Sequence, residues 1–104
     1  KKTMQPHMKN IFLIELLEHL SDPYTFLAEI AEALYPGGLL HATTIKNVPQ
    51  FDHLFNFTDE SAFENHAQNL DLRIERKIVL EHHYQEIQLD SNNIFYSFRK
   101  LKNL

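Results

Sequence analysis

A chain of 104 residues, 43% hydrophobic and 23% charged, is long enough for one small domain with its own core and too short for two. Lys+Arg 10 against Asp+Glu 14 leaves a net charge of -4, which argues against the basic surface that duplex nucleic acid requires. With no cysteine there is neither a disulfide framework nor a thiolate metal site; no apolar run approaches the length of a membrane span, and Lys1 to Asn10 lacks the apolar core of a signal peptide.

Lys1 to Lys9 is polar and aperiodic and reads as a lead-in loop or a frayed helix end. Ile11-Phe12-Leu13-Ile14 is a continuous apolar run, the pattern of a central strand covered on both faces, usually in a parallel sheet. After a charged elbow, Ser21-Asp22-Pro23 is a helix start: Asp22 can accept from the free amides of the first turn, and Pro23 fits a position that needs no donor. Phe26, Leu27, Ile30, Ala31 and Leu34 then fall on one helical face. Pro36-Gly37-Gly38 ends that helix, and Leu39 to Ile45 is a second strand, completing a βαβ unit over Asn10 to Asn47.

Lys46 to Phe57 is an irregular, aromatic loop. Thr58-Asp59-Glu60 opens a second helix to about Asn69, with Phe63, Ala67 and Leu70 as its buried stripe. Leu72 to His82 reads as a strand whose far end projects from the sheet, with Leu72, Ile74, Ile78 and Leu80 sharing a parity that Arg76 interrupts. Leu89 to Asn93 carries turn chemistry, and Ile94, Tyr96 and Phe98 close the chain as a strand antiparallel to the one before. The expected order is β-α-β-α-β-β in a single domain spanning 1–104. The chain enters a strand almost at once and lacks an initiator methionine, so further residues upstream are expected; the cytoplasm is the default compartment.

In open α/β sheets, ligands bind beyond the carboxyl ends of the strands. Glu15, Glu18 and His19 follow the first strand and Thr44 to Asn47 follow the second, so both loops should face one crevice. Two carboxylates and an imidazole within five residues can bind a hard or borderline divalent cation or move a proton. His53 could supply a fourth group, and such O and N ligands suit Mg²⁺, Mn²⁺ or Zn²⁺. A purely structural role, with Glu18 at a helix end and His19 on a backbone carbonyl, is the alternative.

The remaining histidines carry less. His41 reads as a sheet-face histidine and His66 as an exposed helix residue. His82 and His83 could chelate a metal, but neighbours on a strand point to opposite faces, which argues against a shared ion. Phe51, Phe55 and Phe57 either form a lid or plug one end of the sheet, the plug being the commoner fate of such rings. Gly37-Gly38 follows a helix instead of opening one, so it is not a phosphate loop.

The run Ile14-Glu15-Leu16-Leu17-Glu18-His19-Leu20, then Asp22-Pro23, Phe26-Leu27, Glu29-Ile30, Leu34 to Leu40, Thr43-Thr44 and Asn47, resembles the second half of a class I S-adenosylmethionine-dependent methyltransferase. Phe57 to Ser61 is similar to the helix start that follows the family's fifth strand. The resemblance implies a Rossmann-like α/β half-domain, from the fourth family strand onward, with a mixed sheet and an antiparallel terminal pair. It implies methyl transfer to an oxygen or nitrogen of a small molecule or an RNA terminus, with S-adenosylmethionine as cofactor. Glu15 and Leu16 would touch the cofactor, and Glu15 and His19 would be catalytic. Glu-x-x-Glu-His at this elbow is shared with the small-RNA 3′-terminal 2′-O-methyltransferases, whose Asp-His-x-Phe-x-x-Thr resembles Asp52 to Thr58. Ubiquinone-biosynthesis O-methyltransferases resemble it at Glu18-His19 and Asp22-Pro23. These imply metal roles for Glu15, Glu18, His19 and His53. The family's glycine-rich loop and second-strand acid have no counterpart here, which implies a missing upstream half or a non-catalytic half-domain that serves for interaction or homodimerisation. No membrane partner is implied.

Overall fold

The computed structural model describes residues 8–48 and 50–101. Strand β1 (Met8–Leu13) leads through one 3-10 turn, Leu17–His19, into α1 (Pro23–Ala33) and β2 (Leu34–Lys46). Helix α2 (Glu60–Asn69), β3 (Leu72–Tyr84) and β4 (Leu89–Lys100) follow. The strands form one mixed sheet in the order β1-β2-β4-β3, with β1 and β2 parallel and β4 antiparallel to both its neighbours. This is the expected β-α-β-α-β-β chain with its parallel crossover and its terminal hairpin. Of the expected lead-in, residues 1–7 lie outside the described residues, and Met8 and Lys9 already belong to β1. Pro49 of the loop also lies outside them.

The helix caps form as their sequences dictate. The Asp22 carboxylate accepts from the Thr25 amide at 3.2 Å and the Thr25 hydroxyl at 2.6 Å. Those bonds hold the Asp22 carboxyl below its ordinary range, and Pro23 takes the first helical position. At α2 the cap is Asp59, which accepts from the Ala62 amide at 3.0 Å. Helix α1 stops at Ala33, before the Pro-Gly-Gly turn, because Leu34 is already extended and pairs with Met8. The turn becomes a bulge inside β2: the β1 register jumps from Met8↔Leu34 to Asn10↔Leu39. Gly37 takes φ 86, open to glycine at no steric cost. At Gly38 a Cβ would come within 2.9 Å of the Tyr35 carbonyl oxygen and 3.0 Å of that of Lys9.

One apolar core lies between the sheet and both helices. Ile11 and Leu13 of β1, Leu40 and Ala42 of β2 and Ile94, Tyr96 and Phe98 of β4 meet Leu27 and Ala31 of α1 and Phe63 and Ala67 of α2. The opposite face carries no helix among the described residues. The expectation that β1 is covered on both faces therefore fails: Phe12 is 66% exposed and stacks on His41, with ring centroids 4.8 Å apart.

Two further expectations are corrected at the hairpin. The turn falls at residues 85–88, where Gln88 takes φ 48, and Leu89 to Asn93 are strand. Turn-forming side chains at Asp90 to Asn93 are overridden by pairing, since Leu89 to Asn92 already face Tyr84 to Glu81 across the ladder. The shared parity of β3 is also broken by a register shift between Ile74 and Arg76. Ile74 pairs with Phe98 on the helix side, whereas Ile78 pairs with Phe95 on the open side, so Arg76 marks where the strand changes face. Beyond Lys46↔Asn92 the hairpin pairs only with itself and projects, as expected.

Candidate functional site

The elbow after β1 is shaped by one backbone kink. Glu15 takes φ 52, and its amide donates to the Thr43 hydroxyl of β2 at 2.7 Å. The chain then turns inward, so that Leu17 and Glu18 are both fully buried. The loop after β2 comes back over this turn. The Leu54 and Phe55 amides donate to the Glu18 carbonyl at 2.8 and 3.0 Å, and the Phe57 amide donates to the Ile45 carbonyl at 3.1 Å. Both carboxyl-edge loops thus meet, as the strand order requires.

Where they meet, Glu18, His19 and His53 each offer a ligand atom, all within 4.8 Å of one another. Glu18 is 0% exposed, and neither of its carboxylate oxygens has a hydrogen-bond partner. His19 Nε2 stands 3.7 Å from Glu18 Oε2, a charge contact beyond hydrogen-bond range. His19 Nδ1 lies 3.0 Å from the Asp52 carbonyl oxygen and 3.7 Å from its carboxylate. The His53 ring meets the His19 ring edge-on, centroids 5.1 Å apart. A buried carboxylate without donors is costly unless a cation or a proton compensates it. One carboxylate and two imidazoles form a donor set that suits a borderline divalent cation, so the residues present fit one.

The other expected site residues are placed differently. Glu15 is outside this cluster; it lines an apolar pocket of about 230 Å³ with Ile14, Thr43, Ile78, Leu80 and Phe95. The φ 52 kink at Glu15 turns the chain so that Glu15 and Glu18 part company. Leu16 is partly exposed beside it. His41 is the sheet-face histidine expected, with Nδ1 2.8 Å from the Ser97 hydroxyl. His66 is not exposed: half-buried, it lies with Nε2 3.2 Å from the Tyr24 carbonyl and ties α2 to α1. The phenylalanines divide. Phe57 and Phe55 pack with Tyr24 and the core, and Phe51 is fully exposed. His83 pairs with Asp90 at 2.6 Å and His82 meets the Tyr84 ring edge-on, so the two serve separate neighbours. A pocket of about 390 Å³ lies on the hairpin around Lys46, His83 and Asp90 and holds none of the three clustered residues.

Two contacts had no signal in the sequence. The Asp52 carbonyl on His19 is a backbone contact. Asn47 and Asn56 join reciprocally, the Asn47 amide to Asn56 Oδ1 and Asn56 Nδ2 to Asn47 Oδ1, both at 2.7 Å.

No protein-family profile matches the sequence, and no curated protein does. Solved structures do. A Bacillus halodurans protein described as a methyltransferase is 9% identical, with a TM-score of 0.76 over 98% of this chain and 68% of its own. The N-methyltransferase NodS from Bradyrhizobium japonicum, in complex with S-adenosyl-L-homocysteine, is 14% identical, with a TM-score of 0.67 over 98% and 50%. The [4+2]-cyclase SpnF is 11% identical, with a TM-score of 0.71 over 95% and 52%. The chain therefore has the fold of the class I S-adenosylmethionine-dependent methyltransferases, and it spans between half and about two-thirds of the length of these structures. At such identities the likeness is one of fold, and the cyclase shows that this fold serves more than one chemistry.

Proposed function

We propose that the chain is the acceptor-side part of an S-adenosylmethionine-dependent methyltransferase acting on an oxygen or nitrogen of a small molecule or an RNA terminus. The observation that carries this reading is the buried, unpartnered Glu18 carboxylate beside His19 and His53, at the carboxyl edge of a methyltransferase-fold sheet. The NodS neighbour holds a product of the same cofactor, which supports S-adenosylmethionine here. Glu15 and Leu16, at the end of β1, are this chain's share of the cofactor contact. The two glycines of the sequence follow α1 and open no helix, so the anion-binding turn of the cofactor site is not among these residues.

Glu18, His19 and His53 would hold a divalent cation such as Mn²⁺ or Zn²⁺. When bound, such a cation polarises an acceptor hydroxyl and lowers the cost of removing its proton. Without the cation, His19 Nε2 would itself be the base that takes that proton; Glu18 supplies the compensating charge, and the loop carrying His53 shields the elbow from water. Alignment of donor and acceptor provides much of the rate in a direct displacement. The test is methyl transfer from labelled S-adenosylmethionine by the intact protein, compared with a variant changed at Glu15, Glu18 and His19 together. Loss of transfer is expected; transfer that persists overturns the reading.

A further inference from the structure

Resting on the cation reading above, we infer that His19 ligates through Nε2, and that Asp52 and the Asn47–Asn56 pair are positioning residues that fix it and His53 in place. His19 Nδ1 is 3.0 Å from the main-chain oxygen of Asp52. A carbonyl oxygen only accepts, so the proton of the neutral ring resides on Nδ1 and the lone pair is left on Nε2. Nε2 is also the nitrogen turned to Glu18, 3.7 Å from Oε2. That separation is long for a hydrogen bond but close to what two ligands of one ion show. Atoms each about 2 Å from a shared zinc at the tetrahedral angle lie roughly 3.4 Å apart. The Asp52 carboxylate, 3.7 Å from the same Nδ1, adds a negative group behind the ring, the usual second partner of a metal-bound histidine.

The Asp52 carbonyl belongs to a loop pinned just after it by the Leu54 and Phe55 amides on the Glu18 carbonyl, and the ends of that loop are held as well. Asn47 takes φ 58, which asparagine tolerates, and its side-chain amide donates to the Asp90 carbonyl at 3.0 Å. The reciprocal bonds between Asn47 and Asn56 close the two ends of the loop on each other. Between them the His53 amide donates to the Gln50 carbonyl at 3.2 Å, which presents Asp52 and His53 to the elbow. Asn56 itself makes no hydrogen bond to Glu18, His19 or His53 among the described residues, so its effect on them passes through loop position alone.

Zn²⁺ titrated into the chain by calorimetry, with the His19 tautomer read by long-range ¹H–¹⁵N NMR, tests the inference. The metal-free ring should carry its proton on Nδ1, and Zn²⁺ should perturb the Nε2 resonance. Asn56→Ala should weaken Zn²⁺ binding about ten- to a hundredfold with the circular dichroism unchanged. Asn56→Asp, which keeps the acceptor for the Asn47 amide, should recover part of the loss. A proton on Nε2 in the parent protein overturns the inference even if Asn56→Ala fails to fold, and so does parental affinity in a folded Asn56→Ala. Zn²⁺ binding that ignores Glu18→Gln and His53→Ala removes the cation reading and this inference with it. Binding that needs both yet ignores Asn56 overturns this inference and leaves the cation reading standing.

Discussion

At the scale of single residues, Glu18 is the group whose environment asks for an explanation. It is fully buried and without a hydrogen bond, a position in which an uncompensated carboxylate costs stability. Replacing it with an apolar group of similar length should relieve an unsatisfied-group penalty of about 1–3 kcal/mol. Glu18→Met is expected to raise the urea midpoint in the presence of a chelator while abolishing Zn²⁺ binding. A lower midpoint would show that the carboxylate has found compensation without a cation. The sequence made Glu18 and His19 visible because they are neighbours in a short motif. It grouped Glu15 with them for the same reason, and there a backbone kink decided otherwise: φ 52 at Glu15 sends that side chain to the apolar pocket instead.

Elements were the most legible level, because helix starts are written within three residues. Asp22 accepts from Thr25 at the head of α1 and Asp59 from Ala62 at the head of α2. Asp22→Ala should cost about 1 kcal/mol, measurable by equilibrium urea unfolding; an unchanged midpoint would mean that core packing alone sets the start of α1. The end of α1 was less legible. Pro36-Gly37-Gly38 reads as a helix stop, yet the helix yields earlier to strand pairing, and the glycines serve a bulge in β2. Gly38→Ala would drive a Cβ into the Tyr35 and Lys9 backbone oxygens, which cannot move as a side chain can. A loss of about 1–3 kcal/mol is expected, and a thermal midpoint equal to the parent's would refute the close approach. The hairpin turn was misplaced because Asp90 to Asn93 have turn-prone side chains, while a ladder from Leu89 to Lys100 offers more hydrogen bonds than a turn there could.

For the molecule as a whole, the outer strand β3 is tied back to the sheet by an ion cluster. Arg99 grips Glu75 through two nitrogens at 2.6 and 3.0 Å and also donates to the Gly37 carbonyl at 2.8 Å, joining β3, β4 and β2. Arg73 donates to the same carboxylate at 2.8 Å. The Arg99 hydrogen bonds, then those of Arg73, hold the Glu75 carboxyl at about 2, against an ordinary 4.5. A carboxyl depressed on folding stabilises fully above its unfolded value, and that contribution is lost as pH falls from about 4.5 toward about 2. The Glu75→Gln protein should therefore melt below the parent at pH 7, and the gap should close as pH falls through that window. A gap that stays constant to pH 2 would assign the effect to packing. On the other side of the hairpin, Lys77 bonds both Glu60 and Glu64 of α2, and the Tyr96 hydroxyl donates to Glu64 at 2.9 Å. Burial first, then that bond, pushes the Tyr96 phenol well up.

The sequence by itself determined the elements, their order, the parallel crossover and the adjacency of Glu18 and His19. Periodicity, caps and motifs act over a few residues and survive any packing that keeps those residues together. Only the tertiary structure decided that both helices lie on one face, that β3 changes face at Arg76, and that His53 and the Asp52 carbonyl reach His19 while Glu15 does not. Those outcomes depend on ladder register and on where a loop closes. Both are fixed by hydrogen bonds between residues far apart in the chain, such as Asn47 with Asp90 and Glu15 with Thr43.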